Sequence, residues 1–325
     1  MSSSESMAAP GPGPLPEGLA VRVRVPASSA NLGPGFDSVG LGLGVYDEYH
    51  VTVTGESLVI DVTGEGAEEV PRDGRHLVYR CLALGLTRLG VPVPAGLRLT
   101  CRNAVPHGRG MGSSATAAVA GFAAASALVS LAVDGTGEVD LDFCNDLAGE
   151  VEGHPDNSSA AVFGGLTVSW SDHPPAVTPV RTVRLDLHPD VVPVVLVPDA
   201  QLATATARAV LPGEVPLKDA ALGAGRAALL VEAATRRPEL LLPATRDWLH
   251  QEYRRRAYPT SMALLDTLRE RGLAATISGA GPTVLVLAER EHVPSVLDLS
   301  LPPGWRALTP GVAEHGATAT VLPSV

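Results

Sequence analysis

Apolar and polar positions first fall into a regular pattern at Val21–Val25, where valines alternate with arginines. That period of two is the signature of a half-buried strand. Tyr46–Thr54, Val59–Val62, Gly96–Cys101 and Leu166–Trp170 read as further short strands. Apolar residues at helical spacing fill His76–Leu89, which stops at Gly90 ahead of Pro92. Ser113–Ala132 predicts an alanine-rich helix, and Asp140–Gly153 another that His154-Pro155 halts. Further on, Val191–Val197 is a fully buried type of strand, while Lys218–Thr235 and Ser261–Arg271 are helices, the second closed by Gly272. Thr276–Ser278 and Thr283–Leu287 form a strand, glycine turn and strand. Strands and helices interleave without a regular βαβ period or an internal repeat, which predicts an α+β fold.

Length and composition refine this picture. A chain of 325 residues predicts two domains at about 150 residues each. Met1–Gly18 is rich in proline and glycine and lacks a basic start, so residues 1–19 are expected to be a disordered tail and not a signal peptide. Pro174, Pro175 and Pro179 mark the expected boundary between domains spanning 20–175 and 176–325. Gly110–Val133 carries no charge and is long enough to test as a membrane span. Its side chains are mostly small, however, which suits a central buried helix better, and no membrane partner is expected. The net charge of −11 argues against a general nucleic-acid or anionic-membrane binder. Lys218 is the sole lysine, and no Gly-Lys-Ser/Thr exists to build a Walker-A loop. Cys81, Cys101 and Cys144 lie far apart, which fits a reducing cytoplasm and argues against cysteine-based metal sites.

The most informative chemistry lies in Pro106-His107-Gly108-Arg109-Gly110-Met111-Gly112-Ser113-Ser114-Ala115-Thr116. Alternate glycines let backbone amides approach an anion without interference from Cβ atoms. The helix that follows presents unpaired N–H groups and a partial positive charge, and Arg109 adds to it. Taken alone, the stretch reads as readily as a turn before a capped helix. It is not a dinucleotide fingerprint, because G-x-G-x-x-G occurs nowhere.

This loop resembles the ATP loop of the GHMP kinases, a family that includes galactokinases, homoserine kinases and mevalonate kinases. Pro26-Ala27-Ser28-Ser29-Ala30-Asn31-Leu32-Gly33-Pro34-Gly35-Phe36-Asp37 resembles the opening motif of the homoserine-kinase branch. His154-Pro155-Asp156-Asn157 and Ile277-Ser278-Gly279-Ala280-Gly281-Pro282 match the remaining motifs in order. The resemblance implies an N-terminal domain like domain 2 of ribosomal protein S5 and a ferredoxin-like C-terminal domain, with ATP and substrate in the cleft between them. It implies ATP and Mg²⁺ as cofactors and phosphorylation of L-homoserine, a step of threonine biosynthesis, and it leaves a homodimer open. Alternatives are a GHMP kinase for a mevalonate derivative or a sugar, or a catalytically silent member that binds ligand.

Individual roles follow from the same likeness. On composition alone, Asn31 and Asp37 are turn residues; the resemblance makes Asp37 the partner of the substrate amino group and Asn31 that of its hydroxyl. Thr204, Arg208, Arg254 and Gly279 resemble substrate-binding positions, with the two arginines on the carboxylate. Ser114 and one glutamate would hold Mg²⁺; Glu152 is favoured and Glu150 kept in reserve. His154, Asp156 and Asn157 form a site element. Asn157 stands where several relatives carry a catalytic aspartate, so no general base is available at that position.

Overall fold

The computed structural model describes residues 13–172 and 179–323. Among these described residues, twenty-one strands and α-helices form two sheets, each with its own layer of helices. In chain order they are β1 (Ala20–Ala30), β2 (Val39–Thr54), β3 (Val59–Gly64), α1 (Leu77–Arg88), β4 (Gly96–Asn103), α2 (Ser113–Val133), α3 (Leu141–Glu152), α4 (Pro155–Phe163), β5 (Leu166–Trp170) and β6 (Arg181–Leu185). The second half adds β7 (Val191–Pro198), α5 (Thr204–Ala209), α6 (Leu217–Thr235), α7 (Leu241–Ala244), α8 (Gln251–Arg254) and α9 (Pro259–Glu270). It closes with β8 (Ala274–Ile277), β9 (Val284–Glu289), α10 (Val293–Leu297), β10 (Trp305–Leu308) and β11 (Thr318–Val321).

The first sheet runs β11-β1-β2-β4-β3, with β5 on the free edge of β2 and β6 beyond it. Val21, Val23 and Val25 turn inward and are fully buried, as their alternation predicts. The core they enter is closed by α2, whose alanines let it lie close to the sheet. At Gly121 a Cβ would stand 2.5 Å from the Val78 carbonyl oxygen, so α1 crosses α2 where no side chain intervenes. The uncharged stretch is therefore the core helix expected from its composition.

The second sheet is antiparallel in the order β10-β7-β9-β8. Its connections (strand, helices, two strands, helix, strand) give the ferredoxin-like arrangement. A shared apolar seam, with Ala27, Leu41 and Met111 from one side and Val195, Leu230 and Leu285 from the other, joins the two halves.

Several expectations need correction. The proposed 175/176 boundary falls inside the first sheet, because β6 pairs with β5 across the proline-rich stretch. The final strand also returns to that sheet, with Val21 opposite Val321. The change of sheet thus comes between β6 and β7, and residues 318–321 belong with the first half. His154-Pro155 halts α3 but opens α4, where proline sits at the first turn without needing its missing N–H. The tail is shorter than expected: Leu15 packs into the core, and Gly18 donates its N–H to Val53 at 2.9 Å. Residues 1–12, Pro174 and Pro175 lie outside the described residues.

Candidate active site

Three loops meet a helix where the two sheets face each other. The glycine loop enters with Gly108, Gly110 and Gly112 all at positive φ. A Cβ on Gly110 would lie 2.3 Å from Ser278 O, and one on Gly112 would lie 2.1 Å from Ser28 Oγ, so both positions demand glycine. Gly112 then hands the chain to α2, 21 residues long, whose first-turn amides and dipole face the cleft.

Not every loop residue serves an anion. Met111 is fully buried in the apolar seam and Pro106 is buried beside it, so their side chains do not reach the cleft. Arg109 was expected to add positive charge, but its guanidinium donates to the carbonyls of His107, Pro198 and Asp199 at 3.1, 2.9 and 2.9 Å. It clamps the loop to the end of β7. Thr116 Oγ1 donates to Gly112 O and Pro26 O, tying α2 to β1.

The substrate loop after β1 carries three non-glycine residues in the left-handed region: Asn31 at φ 70°, Leu32 at 45° and Asp37 at 56°. Such backbone persists only where its surroundings over-determine it. Here Asn31 Oδ1 accepts the Asp37 N–H at 3.0 Å, and Asn31 Nδ2 donates to Gly279 O at 3.0 Å. The Asp37 carboxylate makes a two-pronged ion pair with Arg208 of α5. Thr204 is exposed at the start of the same helix and lines the cleft.

Arg254 is 1% exposed, although among the described residues no carboxylate faces it within salt-bridge distance. Its Nε donates to Ala207 O at 2.9 Å and its Nη1 points to Gly279 O at 3.4 Å. Burial pulls its pKa down from the ordinary arginine value. A lone guanidinium withdrawn from water this way calls for an anionic partner in the cleft.

Across the cleft, α3 ends in the two glutamates. Ser114 Oγ donates to Glu152 Oε1 at 2.7 Å, whereas Glu150 points away and pairs with Arg88 at 2.8 Å. The geometry favours Glu152 over Glu150, because two residues apart along a helix puts the side chains on nearly opposite faces. Two adjacent hard oxygens beside a helix N-terminus are of the type that suits Mg²⁺.

His154 Nδ1 lies 2.9 Å from Asp156 Oδ1, which also accepts the Asn157 N–H at 2.8 Å. Burial lowers the His154 pKa, but the hydrogen bond and charge of Asp156 outweigh it and leave the ring above its ordinary value. Ser28 Oγ donates to Asn157 Oδ1 at 2.9 Å, which leaves the Asn157 NH₂ on the side of Gly279. Asp37, His154 and Asp156 bring ligand atoms within 4.8 Å of one another. Each of those carboxylates already has a partner of its own, Arg208 or His154, so the cluster suits an organic substrate better than a second cation.

Asn31, Ser114, Glu152, His154, Arg208 and Arg254 are among the residues that line a cleft of about 160 Å³. Beside it lies a more apolar cavity of about 300 Å³, walled by Tyr49, Val70, Pro71 and Leu77 and reaching Gly108, Ser113 and Ser114. His76 Nδ1 and Asn103 Oδ1 are buried in it without a hydrogen-bond partner. Sequence reasoning gave no role to these two or to His250, nor to Ser28 and Phe36, although both of the latter lie in the opening motif. For His76 and Asn103 the available signal was a polar residue beside an apolar stretch.

A helix start suited to phosphate, an oxygen pair suited to a divalent ion and a charged pocket between them fit a small-molecule kinase. The profiles described as GHMP kinases N terminal domain and GHMP kinases C terminal match residues 76–165 and 220–298, and the chain belongs to the GHMP kinase family. The Streptomyces avermitilis protein named homoserine kinase is 51% identical, covering 91% of this chain and 94% of its own. The Mycobacterium tuberculosis homoserine kinase is 47% identical, over 83% of this chain and 84% of its own. Among solved structures, homoserine kinase from Cytophaga hutchinsonii superposes with a TM-score of 0.76 at 21% identity, covering 93% of this chain and 97% of that one. Mevalonate diphosphate decarboxylase from Enterococcus faecalis shares the fold too, with a TM-score of 0.63 at 14% identity over 94% of this chain and 99% of its own.

Proposed function

We propose that this chain transfers the γ-phosphoryl group of ATP to the hydroxyl of L-homoserine, giving ADP and O-phospho-L-homoserine for threonine biosynthesis. One observation carries the choice of acceptor: two guanidiniums, Arg208 and Arg254, line one cleft beside the glycine loop, and a carboxylate, Asp37, stands next to it, paired with Arg208 and close to His154 and Asp156. An α-amino acid offers a complementary ammonium and carboxylate. A mevalonate derivative leaves Asp37 unmatched, and a sugar leaves all three unmatched.

The triphosphate lies over Gly108–Ser114 and the base enters the apolar cavity, where His76 and Asn103 gain the hydrogen-bond partners they lack. Ser114 and Glu152 would hold Mg²⁺, which neutralises charge on the transferring phosphoryl group when bound. Asp37 takes the substrate ammonium, exchanging part of its pairing with Arg208, which turns with Arg254 to the carboxylate. Asn31, Asn157 and His154 surround the hydroxyl. Asn157 donates and cannot take a proton, and Asp156 raises the His154 pKa, which favours the protonated ring, a form with no lone pair to offer the hydroxyl proton. Rate therefore comes from alignment and electrostatic stabilisation of a loose transition state. Free, buried Cys81, Cys101 and Cys144 fit the cytoplasm as the compartment.

Acceptor analogues test this reading. Deleting the amino group (4-hydroxybutyrate) or the carboxylate (3-aminopropan-1-ol) is expected to lower kcat/KM by about 10- to 100-fold, since the first removes the partner of the half-buried Asp37 and the second that of the buried Arg254. Comparable turnover of either analogue would refute zwitterion recognition.

A further inference from the structure

His250 has no exposed surface, yet it lies between the substrate loop of the first half and the helix that carries Arg254 in the second. Its Nε2 is 2.8 Å from Gly33 O. A carbonyl can only accept, so Nε2 carries the proton. The other ring nitrogen, Nδ1, is then free to accept from Arg254 Nη1 at 3.2 Å. The ring stacks on Phe36, with centroids 5.2 Å apart and planes 21° from parallel. Three contacts therefore converge on one imidazole, two from the loop that ends in Asp37 and one from Arg254.

The surroundings keep that imidazole neutral. Burial lowers its pKa and the charge of Arg254 acts in the same direction, while Asp247, 3.7 Å away, and the more distant Asp37 oppose them. The Asp247 carboxylate accepts the N–H groups of Leu249, His250 and Gln251 at 2.9, 3.0 and 2.8 Å, which fixes the turn that presents the ring. The fit is close on the loop side as well, since a Cβ on Gly33 would stand 2.4 Å from Thr245 O. From Arg254 the chain of contacts continues through Ala207 O to α5 and its neighbour Arg208.

We propose that His250 is a positioning residue that sets the separation between Asp37 and the two arginines, and so determines which ω-hydroxy amino acid can bring its hydroxyl to the phosphate loop. The inference rests on the reading of a zwitterionic acceptor. In an α-amino acid the ammonium and carboxylate sit on one carbon, so their partners must hold a fixed spacing. A side chain one methylene longer then carries its hydroxyl past the point of transfer. Loosening the link between Gly33 and Arg254 relaxes that limit without touching the nucleotide.

Full-length His250→Phe and His250→Gln variants are compared with the parent, using ATP with L-homoserine or with L-5-hydroxynorvaline, one methylene longer. Where the longer acceptor is not turned over, its inhibition constant against homoserine replaces kcat/KM. For His250→Phe, KM for homoserine should rise about 10-fold or more while KM for ATP stays within about 2-fold. The preference for homoserine over the longer acceptor should fall at least about 5-fold. His250→Gln, which can still donate to Gly33 O and accept from Arg254, should restore most of that preference. If His250→Phe does not fold, His250→Asn, too short to span both partners, carries the same expectation. An unchanged preference, or a KM for ATP that rises as much as that for homoserine, would overturn the role of His250. A parent enzyme that fails to turn over homoserine at all would instead overturn the function on which it rests.

Discussion

The two glutamates at the end of α3 show what a residue's chemistry depends on. Glu150 and Glu152 have the same side chain two positions apart, yet one pairs with Arg88 at the surface and the other meets Ser114 in the cleft. Glu152→Gln is expected to weaken the apparent affinity for Mg²⁺ and lower kcat/KM by about 10- to 100-fold. Glu150→Gln removes an exposed ion pair worth about 0–1 kcal/mol and should leave both within about 2-fold. Magnesium titrations of initial rate distinguish them, and equal losses would move the metal away from Glu152. Asn31, Asp37, Asp156, Asn157 and Gly279, which the motifs single out, do lie near one another in the structure. The motifs could not settle the glutamate register, which depends on where a helix face points. Arg109 illustrates the same limit: its charge was legible and its direction was not, since carbonyls at the end of β7 capture it from about ninety positions away in the chain.

At the scale of elements, strongly patterned segments were legible and weak edges were not. Alternating valines specify β1, and an unbroken small-residue stretch specifies α2, because each pattern buries one particular face. By contrast β6 is largely exposed and β11 is four residues long, so neither carries a hydrophobic period. Their places come from pairing with β5 and β1, which no local window contains. The start of the chain behaves similarly. Proline and glycine there suggest a tail throughout, but Leu15 occupies the core. Removing residues 1–12 should leave thermal stability nearly unchanged. Removing residues 1–18 also deletes a buried leucine, a loss of about 1.5–3 kcal/mol, and should lower Tm by several degrees. Equal melting temperatures for the two truncations would show that Leu15 contributes nothing.

For the whole molecule, the arrangement of the two sheets decides the function. The first sheet and its helices supply the phosphate loop, the Ser114–Glu152 pair and Asp37, while the second half supplies Arg208, Arg254 and Gly279. The apolar seam holds these contributions face to face, and β11 binds the end of the chain back to the first sheet. The two halves are thus not separable at residue 175, and the acceptor site exists only in the intact chain. The fold alone leaves the reaction open, since the E. faecalis decarboxylase shares it; on the proposed reading the charges at the cleft select the acceptor. The central claim is therefore tested most directly by ADP release from ATP and Mg²⁺, measured in a coupled assay with the full chain and L-homoserine, mevalonate or galactose. The account predicts saturable ADP formation with homoserine, stoichiometric with O-phosphohomoserine, and no more than background with the other two. Faster turnover of mevalonate or galactose, or no ADP with any of the three, would contradict it.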